Sequence, residues 1–311
     1  MPRWDLVETR KPVTASPDGA DPAKGAAVGA IAVDALLPPE MARKAAEVGV
    51  TKAAMPTARL FTLAVLGGAF IAFGASFATV ASTGAGDAVG FGPARVLTGL
   101  VFSLGLVLVV VAGAELFTGN NLLVMGWVDR RIRAWAVLRN WVIVYVGNFA
   151  GAMGVAWLVY ASGQYRSADG AVGAQAVETA AAKAALPWGE ALARGILANV
   201  LVCLAVWLCL SARSVTDKVL AVVFPITAFV AGGFEHSVAN MYFLPVGLFL
   251  KAAEPESFWA SSGVDAASLH DLTWSAFLVD NLVPVTIGNL IGGTVLVGAV
   301  YALVYLRRPG S

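Results

Sequence analysis

A chain of 311 residues that is 58% hydrophobic and 13% charged, with a mean hydropathy of +0.76, is built for hydrocarbon, since globular domains carry about 25% charged residues. Its formal net charge of +1 offers no basic surface for a polyanion and excludes a nucleic-acid partner. Cys203 and Cys209 lie in one apolar run at a spacing that suits neither a metal nor a disulfide on a single helix, so both read as buried packing.

Residues 1–33 are rich in Ala, Gly, Pro and charge and carry too little apolar surface to order themselves, so a disordered cytoplasmic tail is expected. They open on Arg3, Asp5, Glu8, Arg10 and Lys11 without an apolar core, and no cleavable signal peptide is expected. Residues 34–58 combine a Pro38–Pro39 helix start with apolar positions at Met41, Ala45 and Val48, the pattern of a short amphipathic helix on the cytoplasmic membrane surface. Residues 59–308 are expected to form a single transmembrane channel domain.

Within it, charge-poor runs long enough to cross roughly 30 Å of hydrocarbon place six spans. They lie between Arg59 and Asp87, after Arg95 to Gly113, from Asn140 to Ser162, from Gly195 to Leu210, after Lys218 to Leu250, and from Asn281 to Tyr305. Arg43, Lys44, Lys52, Arg59, Arg130, Arg131, Arg133, Arg139, Arg213, Lys218, Arg307 and Arg308 gather on one set of connections. The alternate loops carry Asp87, Asp169, Glu178, Glu190, Glu254, Glu256, Asp265 and Asp271, diluted by Arg95, Arg166, Lys183, Arg194 and Lys251. The positive-inside bias then places both termini in the cytoplasm.

The third and sixth spans share a pattern, RNWVIVYVGNFAGA against VDNLVPVTIGNLIGG, which pairs Asn140 with Asn281 and Asn148 with Asn289. The second and fifth are each interrupted, at GAELFTGNNL and GFEHSVANM, which pairs Glu115 with Glu235 and Asn120 with Asn240. Three spans per half reverse the sense of entry, so the expected fold is an all-α 3+3 inverted repeat whose site lies where the two broken helices meet. A backbone leaving the helix in hydrocarbon must have its polar groups satisfied by protein or water. The two glutamates are expected to staple the breaks by accepting freed amides, with Asn120 and Asn240 supplying donors and acceptors. The half-helices that restart beyond each break present amino-terminal dipoles, which suit an anion.

Of the two histidines, His270 lies in an acidic loop and reads as solvated, whereas His236 sits at a break inside a span, where an imidazole could greet an anion or donate a proton. Lys183, in an outer loop, admits two readings, a solvated lysine and an electrostatic lure for anions.

The stretches GAELFTGNN, NWVIVYVGNFAGA, GILANVLVCLAVW, GFEHSVANMYFLPVG and DNLVPVTIGNLIGG resemble the signatures of the formate/nitrite transporter family, over about Val33 to Arg308. The resemblance implies an aquaporin-like fold, a homopentamer with a pore in each protomer, a bacterial inner membrane, no cofactor or metal, and formate or a similar small monovalent anion as cargo. Carried over by position, it makes Thr118 the threonine of the first break and His236 the pore histidine, with Asn199 beside it and Lys183 the outer lysine. It assigns Phe102, Leu106 and Phe229 to a cytoplasmic constriction and Leu116 and Phe117 to the first break. Read as residues alone, Phe102, Leu106 and Phe229 serve equally as packing. Gly119, Asn120 and Asn121 depart from the small hydroxyl and apolar residues common in formate-carrying members.

A carboxylate with a pKa near 4 is neutral in about one molecule in a thousand at pH 7, so protonating it costs roughly 4 kcal/mol, whereas a naked ion in a dry neck costs tens. Protonation is the cheaper route, and His236 is the expected proton source. Nitrite, hydrosulfide and lactate are rival cargoes of the same architecture. A membrane-embedded enzyme finds no GxSxG or HExxH here, and a water or glycerol channel lacks its paired Asn-Pro-Ala breaks.

Overall fold

The computed structural model describes residues 35–254 and 256–306; the expected tail and the terminal Arg307 and Arg308 lie outside them. Among the described residues there are helices and turns and no strand. Helix α1 (Pro38–Ala53) leads into α2 (Thr57–Ser82). The second span is α3 (Phe91–Gly113), a turn, and a restart through a 3-10 turn (Gly119–Leu123) into α4 (Val124–Val128). Then come α5 (Ala134–Ala161), α6 (Ala171–Ala184) and α7 (Trp188–Ser211). The run expected as a fifth span is divided into α8 (Val215–Ala231) and α9 (Ser237–Ala253), and α10 (Ala276–Tyr305) ends the described chain. Five of these, α2, α3, α5, α7 and α10, are long and apolar enough to cross a membrane. At about 1.5 Å per residue, even the 23 residues of α3 cover the hydrocarbon.

Several helices begin before the apolar runs that announced them: α5 at Ala134, α7 at Trp188 and α10 at Ala276. Polar residues such as Arg139, Glu190, Arg194 and Asp280 end the apolar run but not the helix, because their charged heads reach the interface while the backbone continues. Helix α8 has a defined start: Ser214 Oγ accepts from the Asp217 amide while the Asp217 carboxylate accepts from the amides of Arg213 and Ser214. Those amides hold the Asp217 carboxyl below the usual carboxylate range.

Two expectations are corrected. Helix α1 buries Met41, Ala42, Ala45, Ala46 and Gly49 against the chain, while Val48 is exposed. Its buried face is packed on α4 and the preceding turn, so it is part of the protein core as much as a surface helix. The acidic loop holding Glu178 and Lys183 contains a second such helix, α6, which buries Val172, Ala176, Val177 and Ala180 against α9. Its sequence AVGAQAVETAAAKA is rich in the strongest helix former.

Small residues let the long helices touch. A Cβ added at Gly151 of α5 would overlap the Val65 carbonyl of α2, and one added at Gly292 of α10 would overlap the Ile196 carbonyl of α7. Close approach of this kind is the membrane's substitute for a hydrophobic drive between helices. Gly154, one turn further along α5, is exposed, and a Cβ there would meet nothing of its own chain.

Candidate functional site

Both interruptions turn on a glycine with positive φ, +85° at Gly113 and +70° at Gly233, a conformation that costs any other residue about 1–2 kcal/mol. Each is followed two residues later by a buried glutamate, Glu115 or Glu235. Contrary to the expectation from the sequence, the freed amides do not go to these carboxylates. Glu115 N donates to Leu63 O at 3.1 Å and Phe117 N to Asn148 Oδ1 at 2.8 Å. In the other half, Glu235 N donates to Arg194 O at 3.2 Å and Ser237 N to Asn289 Oδ1 at 2.9 Å. The Asn148 amide group donates in turn to Ala64 O and Glu115 O, and that of Asn289 to Gly195 O and Glu235 O. An amide side chain can staple a break from both sides because it accepts and donates; a carboxylate only accepts.

The carboxylates do something else. Glu115 Oε2 accepts from Lys52 Nζ at 3.0 Å and from Asn120 Nδ2 at 2.7 Å, and Asn120 leans on Asn140. Glu235 accepts from Lys183 Nζ at 2.8 Å and from Asn240 Nδ2 at 2.7 Å, and Asn240 leans on Asn281. Lys183 is therefore not free; part-buried at the cavity edge, it closes an ion pair with a buried glutamate at the end of α6, as Lys52 does at the end of α1. Charge counting places Lys52 only among the loop cations, yet the sequence carries its signal, since KAAMP at Lys52 and KAALP at Lys183 repeat one motif.

The two breaks are joined by a hydrogen bond of 2.8 Å between Thr118 Oγ1 and His236 Nε2, both residues buried. His236 is also the N-cap of α9: its Nδ1 accepts from the Ala239 amide at 3.1 Å. With Nδ1 occupied as an acceptor, the imidazole is neutral and its proton is on Nε2, so Nε2–H donates to Thr118 and the threonine's own hydrogen is left for another acceptor. Asn199 lies beside this pair, but its amide hydrogens go to Asn121 Oδ1 at 2.7 Å and Asn289 O at 2.6 Å. It braces the breaks, and Asn121, one of the departures from the family pattern, is what it braces against.

Two cavities border the breaks, one reaching His236 and the other reaching Leu116 and Gly119 on either side of Thr118 in the chain. One, of about 350 Å³, is lined by Lys183, Glu235, His236, Phe102 and Phe229; the other, of about 590 Å³, by Lys52, Glu115, Asn120, Leu106 and Leu116. The residues expected to form one cytoplasmic constriction thus divide. Leu106 faces the Lys52 cavity, while Phe102 and Phe229, in edge contact at 5.5 Å between ring centroids, face the Lys183 cavity. Phe102 and Leu106 are one helical turn apart, about 6 Å of rise, so the wall between the cavities is thin. Phe117 lines neither cavity and packs edge-on against Tyr145 at 4.9 Å.

Paired helix breaks with matching polar braces, joined by a buried hydrogen bond and bordered by two cavities, define a membrane transport protein. The formate/nitrite transporter family model matches residues 39–303, and the chain belongs to that family. It is 44% identical over 275 residues to the formate channel FocA of Escherichia coli strain K12, covering 88% of this chain and 96% of that one. It is 35% identical over 273 residues to the formate channel FocB of the same strain, covering 86% and 95%. Among solved structures it is similar to a pentameric formate channel with formate bound, with a TM-score of 0.74 and 40% identity over 81% of this chain and 98% of that one.

Proposed function

We propose that the protein carries formate across a bacterial inner membrane through one pore in each protomer of a homopentamer. Its six crossings form a 3+3 inverted repeat with both termini cytoplasmic. The observation that carries the reading is the Thr118–His236 pair, a neutral donor chain buried between two water-accessible cavities. The similarity to FocA and to the formate-bound pentamer supports the cargo and the assembly.

Formate entering either cavity meets a one-turn apolar septum, Phe102 and Phe229 on one face and Leu106 and Leu116 on the other. At the septum the Thr118 hydroxyl, polarised by Nε2–H, donates to the carboxylate. Passage as formic acid avoids carrying charge through the apolar wall. The geometry changes what His236 contributes to it: to lend a proton, the imidazole must first take one at Nδ1, which displaces the Ala239 amide and uncaps α9. His236 therefore works chiefly as a donor to Thr118, and the proton comes from water in the cavity. Nitrite is the second reading, since the matching family model covers both anions.

Uptake by liposomes of formate, nitrite, hydrosulfide and lactate, each across a range of pH, decides the cargo; formate is expected to be fastest and to accelerate as pH falls. Lactate faster than formate would overturn the assignment. In the same assay Leu106→Ala removes buried side-chain volume from the septum, and leak of solutes larger than formate is expected to rise about tenfold or more. Unchanged leak would return Leu106 to the core.

A further inference from the structure

Arg95 lies near the start of α3, half-buried, and reaches across to the end of α8, where Nη2 donates to Val230 O at 2.6 Å and Nε to Ala231 O at 3.3 Å. A helix leaves its last four carbonyls without intrahelical partners. At the end of α8 the turn supplies three: Gly232 N to Ala228 O, Phe234 N to Phe229 O and Gly233 N to Val230 O. Arg95 supplies the fourth, at Ala231, and places a full positive charge on the negative end of the α8 dipole where the chain turns at Gly233.

Arg95 also lines the Lys183 cavity, together with Arg194, Glu178, Glu235 and His236. The ammonium of Lys183 is paired with Glu235 at 2.8 Å, and Arg194 is paired with Glu190 at 2.8 Å. Glu178 is exposed, where water screens it. Among the described residues Arg95 makes no ion pair; its hydrogen-bond partners are neutral carbonyls, and the Glu235 carboxylate, already held directly by Lys183, acts on the guanidinium only from a distance.

We propose that Arg95, rather than Lys183, is the cation that draws anions into this mouth, and that it positions the fifth-span break by closing the end of α8. This inference rests on the anion-transport reading above. One residue therefore couples the field of the vestibule to the geometry of His236, five residues beyond the last carbonyl it holds.

The test is formate uptake into liposomes by the wild-type protein, Arg95→Met and Arg95→Lys at about 10 mM and about 200 mM salt, with oligomer size checked for each. Steering by a charge raises encounter rates about tenfold or more and fades with salt. Arg95→Met is therefore expected to lose about tenfold in uptake at low salt and to become insensitive to salt, whereas Arg95→Lys keeps the salt dependence. Hydrogen exchange of residues 232–236 is expected to quicken in Arg95→Met. An assembled Arg95→Met with wild-type salt dependence overturns the steering role, and unchanged exchange overturns the positioning role. Should Arg95→Met not assemble, Arg95→Gln, which keeps a donor for Ala231 O, takes its place with the same expected loss of salt dependence. Absence of formate uptake by the wild-type protein would overturn the transport reading itself, while exchange would still decide the positioning role.

Discussion

Replacing His236 with phenylalanine is expected to reduce formate flux by about ten- to a hundredfold and to loosen the protein, whereas His236→Asn is expected to lose the flux alone. The difference follows from the two ring nitrogens. Nδ1 caps α9 through the Ala239 amide and Nε2 donates to Thr118. Phenylalanine removes both contacts. The lost cap costs about 1 kcal/mol, and losing a hydrogen bond that supports a charged group costs about 1.5–3 kcal/mol, which sets the flux range at tenfold per 1.4 kcal/mol. Asparagine is a strong N-cap residue but too short to reach Thr118, so it separates helix integrity from the donor chain. Thermal unfolding of the purified oligomer and uptake by liposomes read the two effects independently. Wild-type flux in His236→Asn would remove the imidazole from the transport step.

The largest structural effect is expected at Asn148 and Asn289, which are fully buried and far from any charge role. Each side chain makes three hydrogen bonds to main-chain groups of the breaks and of the neighbouring spans. Substitution by leucine keeps the volume and strands three buried backbone groups. At about 1 kcal/mol or more apiece, that is roughly 3 kcal/mol, a large part of a marginal stability. Asn148→Leu and Asn289→Leu should each lower the unfolding temperature of the oligomer markedly and to a similar degree, because the two halves use the same contacts. A small effect at both would mean that water or the lipid interface reaches the breaks.

Much of this was written in the sequence. The apolar runs located the long helices, and the echo of Asn140 and Asn148 in Asn281 and Asn289 paired the two halves, although the sequence assigns the bracing of the breaks to Glu115, Glu235, Asn120 and Asn240 and not to Asn148 and Asn289. The charges bounding each run set helix ends too late, since side chains such as Arg139 extend to the interface while the helix goes on. Helix α6 was hidden because Glu178 and Lys183 made its segment look like a loop, although its alanines favoured a helix. The role of the glutamates was misjudged because a carboxylate near a freed amide is a reasonable pair, and the competing lysines come from α1 and α6, 63 and 52 residues away in the chain. The division of Phe102 and Phe229 from Leu106 depends on which side of one helical turn faces which cavity. No spacing rule conveys that.

A buried hydroxyl, oriented by an imidazole, is expected to hold the carboxylate at the septum, which formate then crosses as formic acid. Formate flux into liposomes carrying the wild-type protein, Thr118→Ser or Thr118→Val tests it most directly, with oligomer size verified for each. Wild type and Thr118→Ser should carry formate at comparable rates, and Thr118→Val, which keeps the shape and loses the hydroxyl, should fall to about a tenth or less. Equal flux in Thr118→Val and wild type would contradict it.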